Sequence, residues 1–253
     1  MKTIRDVGLL FQRYIFQLLR NPVWLVVGFS TPILYLALFT PLLRHLSGSR
    51  GLPTGNVLAE FLPGILALLA FASGAGSGFN TLFELRAGVI ERLRVTPASR
   101  FAILTGPILA TLLMMFTFDA VVVAVGAGFG FSVHWLGLLV LAVLLGLLMI
   151  IMAAFSIATA LVTRDISGFA AIINGINLPV LLLAGVLLPI SLGPAWMRVL
   201  AHFNPLYYLV EASRVLATGT LTGTAVWQGF AVLVPLCGLV LAWATRVFRQ
   251  AVA

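Results

Sequence analysis

Long runs of uncharged, mostly apolar residues alternate with short polar segments along almost the whole chain. A membrane-spanning helix needs roughly 20 apolar residues to cross about 30 Å of hydrocarbon. Six segments meet this condition: 23–43, 60–83, 103–130, 136–162, 168–188 and 225–245. The pattern predicts an all-α polytopic membrane protein with six transmembrane helices, built as a single transmembrane domain over 1–253.

Composition and charge agree with this prediction. The chain is 61% hydrophobic and only 9% charged, whereas about a quarter of the residues of soluble domains are charged. With the amino terminus inside, only four of the 15 basic residues fall on the outer side: Arg44, Arg50, Arg198 and Arg214. This bias predicts a cytoplasmic-membrane protein with both termini in the cytoplasm. It also accounts for the net charge of +8 without a nucleic-acid partner.

The first segment, 1–21, has helical periodicity. Its apolar positions share one face: Ile4, Val7, Phe11, Tyr14, Ile15 and Leu18. The basic side chains of Lys2, Arg5, Arg13 and Arg20 lie opposite, and Leu9 and Phe16 interrupt this polar arc. The pattern predicts an amphipathic helix in the membrane interface, which either contacts a partner or serves only as a lipid-surface anchor.

The segment 84–100 carries the densest charge cluster of the chain, with Glu84, Arg86, Glu91, Arg92, Arg94 and Arg100. The apolar stripe of Leu82, Leu85, Val89 and Leu93 predicts that the second span continues into a short amphipathic cytoplasmic helix. Pro97 ends that helix, because it disfavours helical backbone at the preceding residue. A plain solvated loop at the end of a span would show a similar charge run.

The segment 189–214 is too short to cross twice and too apolar for an ordinary loop. Pro189, Gly193-Pro194 and Asn204-Pro205 divide it and predict two short helices, over 196–203 and 206–216. Trp196, Tyr207 and Tyr208 suit the headgroup zone. Glu211 and Arg214 are three residues apart and can pair. We expect a re-entrant outer hairpin, with a plain interfacial loop as the alternative.

Polar residues within the spans are candidate pathway residues: Asn80, Asp119, Asn174 and Asn177. Asp119 is either a substrate or gating contact or a hydrated structural carboxylate, and its distance along the helix from Phe101 places it near the outer interface, level with Glu60. The three asparagines either line a pathway or join helices by hydrogen bonds. The small residues 74–78 predict close helix packing.

Two motifs carry a resemblance to a known family. The first is Glu91-Arg92-Leu93-Arg94-Val95-Thr96-Pro97-Ala98-Ser99-Arg100, preceded by Glu84, Arg86 and Gly88. The second comprises Gly185-Val186-Leu187-Leu188-Pro189 and Asn204-Pro205-Leu206-Tyr207-Tyr208-Leu209-Val210-Glu211-Ala212-Ser213-Arg214. In their order, and with the number of spans, they resemble the ABC-2 family of ATP-binding-cassette exporter permeases over essentially the whole chain.

The resemblance implies a division of labour between subunits. This chain would form the membrane pathway with a second permease copy or paralogue, while a separate ATPase subunit would use ATP and Mg. The coupling interface with that ATPase would comprise Glu84, Arg86, Gly88, Glu91, Arg92, Arg94 and Pro97. The outer gate would comprise Pro189, Trp196, Asn204, Pro205, Tyr207, Tyr208, Glu211 and Arg214.

The chain offers no chemistry of its own for hydrolysis. No phosphate loop of the form G-x-x-x-x-G-K-S/T occurs in it, so we expect neither an ATPase site nor a bound cofactor. His45, His134 and His202 are scattered, and Cys237 is the single cysteine, so no metal site is expected.

The predicted function is outward, ATP-driven transport of an amphipathic drug, antibiotic or lipid-like substrate, which is an efflux function of the kind that confers antibiotic resistance. Two alternatives remain open at this point. One is an ion-coupled secondary transporter that uses Asp119. The other is a non-transporting membrane scaffold.

Overall fold

A computed structural model describes residues 2–20, 22–46, 57–89, 100–186, 190 and 193–251. Within these ranges the chain is helical and forms no strand. The helices are α1 (Lys2–Leu19), α2 (Pro22–Leu46), α3 (Val57–Arg86), α4 (Arg100–Gly128), α5 (Trp135–Thr163), α6 (Ile166–Ala184), α7 (Ala195–Ala201), α8 (Pro205–Ala217) and α9 (Thr224–Ala251). The predicted all-helical fold is therefore confirmed.

Within the part of the chain that the structure describes, five helices are long and apolar enough to cross a membrane. These candidate spans are Phe61–Arg86, Thr105–Gly128, Trp135–Thr163, Ile166–Ala184 and Thr224–Gln250. The helix α2 coincides with the first predicted span, but within the described residues its apolar segment is the shorter Val26–Leu38. The structure thus supports a multi-pass membrane protein, and the sixth span stays a prediction.

The centre of the bundle is the contact between α3 and α5, which depends on small residues. A β-carbon at Gly74 would lie 2.6 Å from Met152 Cβ, and one at Gly78 would overlap the Ser156 side chain. Ser156 is fully buried; its hydroxyl donates to Ala75 O at 2.6 Å and accepts from Gly78 N at 3.0 Å. The predicted close packing at 74–78 is confirmed, and Ser156 adds a polar link to it.

The amino-terminal helix α1 packs on α4, and its buried side chains among those described are Leu10 and Tyr14; a β-carbon at Gly106 of α4 would lie 2.8 Å from Leu10 Cβ. Of the predicted apolar face, Tyr14 is buried and Val7, Phe11 and Ile15 are partly buried, and Leu10 joins them. The absence of a side chain at Gly106 lets Leu10 approach α4 closely. Leu9 and Phe16 stay more than half exposed. The placement of α1 in the membrane interface stays a prediction.

The helix α6 is the least covered of the candidate spans. Its inner face is held at the first turns, where Phe169 is fully buried and packs edge-to-face on Phe79, with ring centroids 4.7 Å apart. At the other end, Val186 O lies against Gly64 of α3 so closely that a β-carbon there would overlap it. Between these points most residues of α6 are exposed. A large part of α6 therefore faces outward from the chain.

Candidate functional sites

The candidate site residues fall into three groups at different levels of the bundle. One group surrounds the end of α3 and the start of α4. A second group is the hairpin of α7 and α8 at the opposite end. The third comprises polar side chains within the spans, between these two ends.

The end of α3 corrects the predicted continuation into a longer helix. α3 ends at Arg86, and Ala87 and Gly88 form a turn in which Gly88 N donates to Leu85 O at 3.1 Å. Gly88 has a φ of 66°, a left-handed conformation that glycine adopts without steric cost and that ends helices. The predicted stripe is therefore interrupted after Leu85, and its last member, Leu93, lies outside the described residues.

Most of the predicted coupling segment lies outside the described residues. This applies to Glu91, Arg92, Arg94 and Pro97, and also to Pro189 of the predicted outer gate. The described part of the segment comprises Glu84, Arg86 and Gly88. The role of the whole segment as an interface with an ATPase therefore stays a prediction.

Arg86 contacts the turn between α5 and α6. Its Nη2 lies 3.5 Å from Asp165 Oδ1, and both side chains are about half exposed. The other carboxylate oxygen of Asp165 accepts from Gly168 N at 2.7 Å and so caps the start of α6. Sequence reasoning missed Asp165. A short polar residue directly before an apolar helix is the signal that could have identified it.

Glu84 and Tyr14 join α3 to α1. Tyr14 Oη donates to Glu84 Oε2 at 2.6 Å, and Arg13 Cζ lies 5.6 Å from the centre of the Tyr14 ring. Burial and the neighbouring Glu84 carboxylate raise the pKa of the Tyr14 phenol well above its usual range, so Tyr14 stays a donor. Glu84 Oε1 is buried and has no hydrogen-bond partner among the described residues.

These side chains line a cavity of about 270 Å³ between α1, α3 and α4, which we call the inner cleft. Its polar lining comes from all three helices: Arg13, Tyr14, Gln17, Ser77, Asn80, Thr81, Glu84 and Thr111. The sequence identified Glu84 and Asn80 separately, one as a coupling residue and one as a pathway residue. The structure brings them to the same cleft.

At the other end, Asn204 connects the α7–α8 hairpin to α6. Its side-chain oxygen accepts from Leu206 N at 3.0 Å and caps α8, while its amide donates to Val180 O at 2.7 Å. Pro205 occupies the first turn of α8, where its missing N–H costs nothing. The two short helices are confirmed, with ends at Ala195–Ala201 and Pro205–Ala217. A re-entrant position in the membrane stays a prediction.

Arg214 makes the second connection to α6. Its guanidinium donates to Glu211 Oε1 at 2.8 Å and to Gly185 O, at the end of α6, at 2.6 Å. Arg214 is only 8% exposed, so it is a buried cation whose donors are matched by acceptors. The predicted Glu211–Arg214 pair is confirmed. We call the contacts of Asn204, Glu211 and Arg214 the outer clasp.

The aromatic residues of the hairpin lie beside the outer clasp. Tyr208 Oη donates to His202 O at 3.0 Å, and the rings of Tyr207 and Tyr208 meet edge-to-face with centroids 5.5 Å apart. Trp196 is 64% exposed. Exposed and half-exposed aromatic rings of this kind are typical of headgroup zones.

Asp119 lies deeper than the sequence indicated. Gly126 of α4 packs directly against Leu62 of α3, and Asp119 is on the same face two turns earlier, about 10 Å away along the axis. The prediction that it lies level with Glu60 is wrong. The reason is that α4 has 29 residues, which makes it longer than the hydrocarbon is thick. Counting residues from Phe101 therefore placed Asp119 too close to the outer end of the helix.

Asp119 is 7% exposed, and neither of its carboxylate oxygens has a hydrogen-bond partner within the described part of the chain. Asn80 and Asn174 are exposed, while Asn177 has a buried side-chain oxygen that also lacks a partner within that part. Intramembrane polar groups of this kind are costly in lipid. The structure does not bring Asp119, Asn174 and Asn177 into the inner cleft.

The described residues contain no group of three or more His, Cys, Asp or Glu side chains that could hold a metal ion. Their polar groups form hydrogen-bonded links between helices and a cleft with one carboxylate and one guanidinium. Such an arrangement can bind and position polar groups at the end of a helical bundle.

Comparison with known proteins bears on the whole bundle. The profile of the ABC-2 type transporter family matches residues 5–217, from α1 to the end of α8. The chain is 32% identical over 215 residues to "Putative transport permease ycf38" of Cyanophora paradoxa, covering 84% of this chain and 74% of that protein. A protein of the same name from Pyropia yezoensis is 27% identical over 222 residues, covering 84% of this chain and 74% of that protein.

Proposed function

Because the chain belongs to the ABC-2 type transporter family, as a transport permease that crosses the membrane several times, we propose that it is the membrane subunit of an ATP-binding-cassette exporter. It moves an amphipathic substrate outward, and a separate subunit hydrolyses ATP. The observation that carries this proposal is the profile match, which includes both the segment 84–100 and the hairpin of α7 and α8.

A second permease copy completes the pathway in this proposal. The helix α6 supports it, because α6 is largely uncovered and exposes Asn174 in the middle of a candidate span. A polar side chain facing lipid is unfavourable, whereas one at a helix interface or a water-filled pathway is not. A partner copy packed on α6 gives Asn174 such surroundings and places a pathway between the two chains.

The ATPase subunit acts on the end of the bundle where α3 and α6 are linked. Arg86 lies at the end of α3, directly before the segment 91–97, and its partner Asp165 begins α6. A displacement of this segment by an ATPase therefore reaches both α3 and α6. Both termini would lie on this side, in the cytoplasm, as the distribution of basic residues favours.

The apolar character of the spans supports an amphipathic cargo. The chain is 61% hydrophobic, and the candidate pathway contributes few polar groups, chiefly Asn174 and Asn177. A drug-like or lipid-like molecule buries apolar surface against such a wall, whereas a highly charged polymer would lose hydration without gaining partners. Efflux of antibiotics belongs to this class of activity.

Co-purification tests the proposal directly. The chain is expressed with a phosphate-loop ATPase of the ATP-binding-cassette class from the same organism and recovered through a tag on the chain. We expect the ATPase to co-purify and its hydrolysis in lipid to rise with substrate. Glu91→Arg should weaken the association about tenfold or more, because it reverses a charge at the proposed interface.

Arg249→Glu is the matched control, since Arg249 is an exposed cation in the last turn of α9, outside the segment 84–100. It should leave association unchanged. Recovery of the chain without any ATPase under conditions that keep it folded would contradict the proposal. An equal loss of association in both variants would contradict the assignment of the segment 84–100 as the interface with the ATPase.

Asp119 favours one alternative function, an ion-coupled secondary transporter. A buried carboxylate without a partner among the described residues is the kind of group that binds a transported ion. This alternative requires transport by the isolated chain, driven by an ion gradient and lost in Asp119→Asn. Transport that needs ATP and the ATPase subunit, and that persists in Asp119→Asn, would exclude it.

A further inference from the structure

The end of the inner cleft that carries Glu84 is expected at the depth of lipid headgroups. The candidate span in α3 has 26 residues, Phe61–Arg86, and is therefore about 39 Å long, whereas the hydrocarbon of a bilayer is about 30 Å thick. A helix of this length extends beyond the hydrocarbon at its ends. Its last turn, which carries Glu84, lies among headgroups, and the cleft beside it has about 270 Å³ of space.

The hydroxyl groups that line the cleft can act only as hydrogen-bond acceptors toward a bound molecule. Thr81 donates its hydroxyl proton to Ser77 O at 3.0 Å, and Thr111 donates to Pro107 O at 3.0 Å. Ser77 makes a longer bond of the same kind to Ser73 O, at 3.5 Å. Because each hydroxyl has one proton and two lone pairs, these three groups can offer only lone pairs to a bound molecule.

Glu84 adds an anionic acceptor to this wall. Its Oε2 is occupied by Tyr14, while Oε1 is buried and has no partner among the residues that the structure describes. The terminal torsion of a glutamate side chain is broad, so a small rotation turns Oε1 toward the cleft. The wall formed by α3 and α4 therefore favours a ligand with several N–H donors and a positive charge.

The opposite wall favours an anion. Arg13 lines the cleft from α1, where its guanidinium lies over the Tyr14 ring. A guanidinium presents a fork of N–H donors that matches phosphate oxygens. Arg13 and Glu84 are the charged side chains lining the cleft. One wall of the cleft thus suits a cation and the other an anion, and the two walls are close enough for one small ligand to contact both.

We infer that the inner cleft binds the headgroup of a membrane lipid that carries a primary ammonium next to a phosphate, the chemistry of phosphatidylethanolamine. The ammonium donates to Glu84 and to the hydroxyl lone pairs of α3 and α4, and the phosphate accepts from Arg13. This lipid links α1 to α3 and α4 through both of its charges. The inference is independent of the proposed function, because it requires neither an ATPase nor a cargo.

Lipid binding to the unaltered protein tests the ammonium first. The purified chain is examined by native mass spectrometry with phosphatidylethanolamine, its N-methyl and N,N-dimethyl forms, and phosphatidylcholine, all with the same acyl chains. We expect affinity to fall with each methyl group and phosphatidylcholine to bind about tenfold more weakly, because it has no N–H donor. Equal binding of the four lipids would overturn the inference.

Variants then locate the site. Glu84→Gln keeps an acceptor for Tyr14 but replaces the free carboxylate oxygen with an amide donor, so it should reduce the preference for phosphatidylethanolamine over phosphatidylcholine severalfold, while the hydroxyl acceptors of α3 and α4 retain the rest. Arg13→Gln should weaken both lipids to the same extent, since both carry the phosphate. Arg249→Gln is the control outside the cleft and should change neither. An undiminished preference in folded Glu84→Gln would overturn the assignment to this cleft.

Two further ligands separate a lipid from a soluble source of the same chemistry. Phosphatidylglycerol has the phosphate but no ammonium, and we expect it to bind more weakly than phosphatidylethanolamine. Soluble phosphoethanolamine has both charges but no acyl chains, and we expect it to compete only weakly, because buried acyl chains add affinity. If it binds as tightly as the lipid, the ligand is a soluble zwitterion and the lipid assignment is wrong.

Discussion

The outer clasp and the inner cleft both contain charged side chains at an end of the apolar bundle, but they differ in how those side chains are paired. In the outer clasp Arg214 is buried, and its guanidinium donates to Glu211 and to Gly185 O. In the inner cleft Glu84 keeps one oxygen without a partner among the described residues, and an open volume lies beside it.

This difference separates a structural contact from a binding contact. Buried polar groups stabilise a fold when every partner is present, and the outer clasp meets that condition between α8 and α6. An acceptor left unmatched beside a cavity stabilises the fold less and is available to a ligand. We therefore expect substitutions in the outer clasp to act on stability and substitutions in the inner cleft to act on binding.

The largest effect on stability is expected for Arg214→Leu. It leaves Gly185 O and the partly exposed Glu211 carboxylate without their guanidinium donor, at a cost of about 3 kcal/mol. Thermal unfolding in detergent measures this as a lower midpoint. Arg198→Leu, on an exposed residue of α7, is the control. If the two variants unfold at the same temperature, the outer clasp is not a stabilising contact.

A smaller loss of stability is expected for Asn204→Ala. It removes the cap of α8 and the bond to Val180 O, two hydrogen bonds that together contribute about 2 kcal/mol. Asn204→Asp keeps the cap but loses the amide donor, and it should lie between Asn204→Ala and the unaltered chain. The midpoints of the three proteins in one unfolding series check this order, and a midpoint of Asn204→Asp equal to that of the unaltered chain would refute the contact with Val180.

Tyr14→Phe is expected to destabilise the chain by only about 1 kcal/mol. It removes one donor from Glu84, but the carboxylate lies beside a cavity that can admit water or a ligand, which offsets part of the loss. The same unfolding series gives the comparison. A cost as large as that of Arg214→Leu would show that the inner cleft is a structural contact and would end the distinction drawn above.

The smallest effect is expected for Arg86→Gln. The pair of Arg86 and Asp165 is about half exposed at 3.5 Å, and exposed pairs contribute about 0–1 kcal/mol. Its cost should fall further in high salt. Asp165→Ala should cost more than Arg86→Gln, because it also removes the cap of α6. Equal costs would mean that the cap contributes nothing.

Sequence reasoning located the helices and the Glu211–Arg214 pair of the outer clasp because local signals mark both. Apolar length predicts spans, and the pairing of Glu211 with Arg214 depends on a spacing of three residues within one helix. The end of α3 was missed because an amphipathic stripe cannot reveal that Gly88 adopts a left-handed conformation. The depth of Asp119 was missed because it depends on how far α4 extends past the membrane.

The inner cleft could not have been predicted from the chain alone. Tyr14 and Glu84 are 70 residues apart, and their contact depends on how α1 packs against α3 and α4. Ser156 was missed for the same reason, since its partners at 75 and 78 lie on another helix. Pairings between helices are set by packing, and the apolar pattern of a span does not encode which of its faces meets which neighbour.

The helix α6 is held by contacts near its two ends and is largely uncovered between them. Phe169 holds one end and Arg214 the other, while Gly175 has no atom near its open side and Pro179, within the helix, cannot donate to Gly175 O. A helix held in this way can bend at its middle while its two ends stay in place. The middle of α6 can therefore bend while the outer clasp stays intact, and under the proposed transport function this would change the width of a pathway along α6.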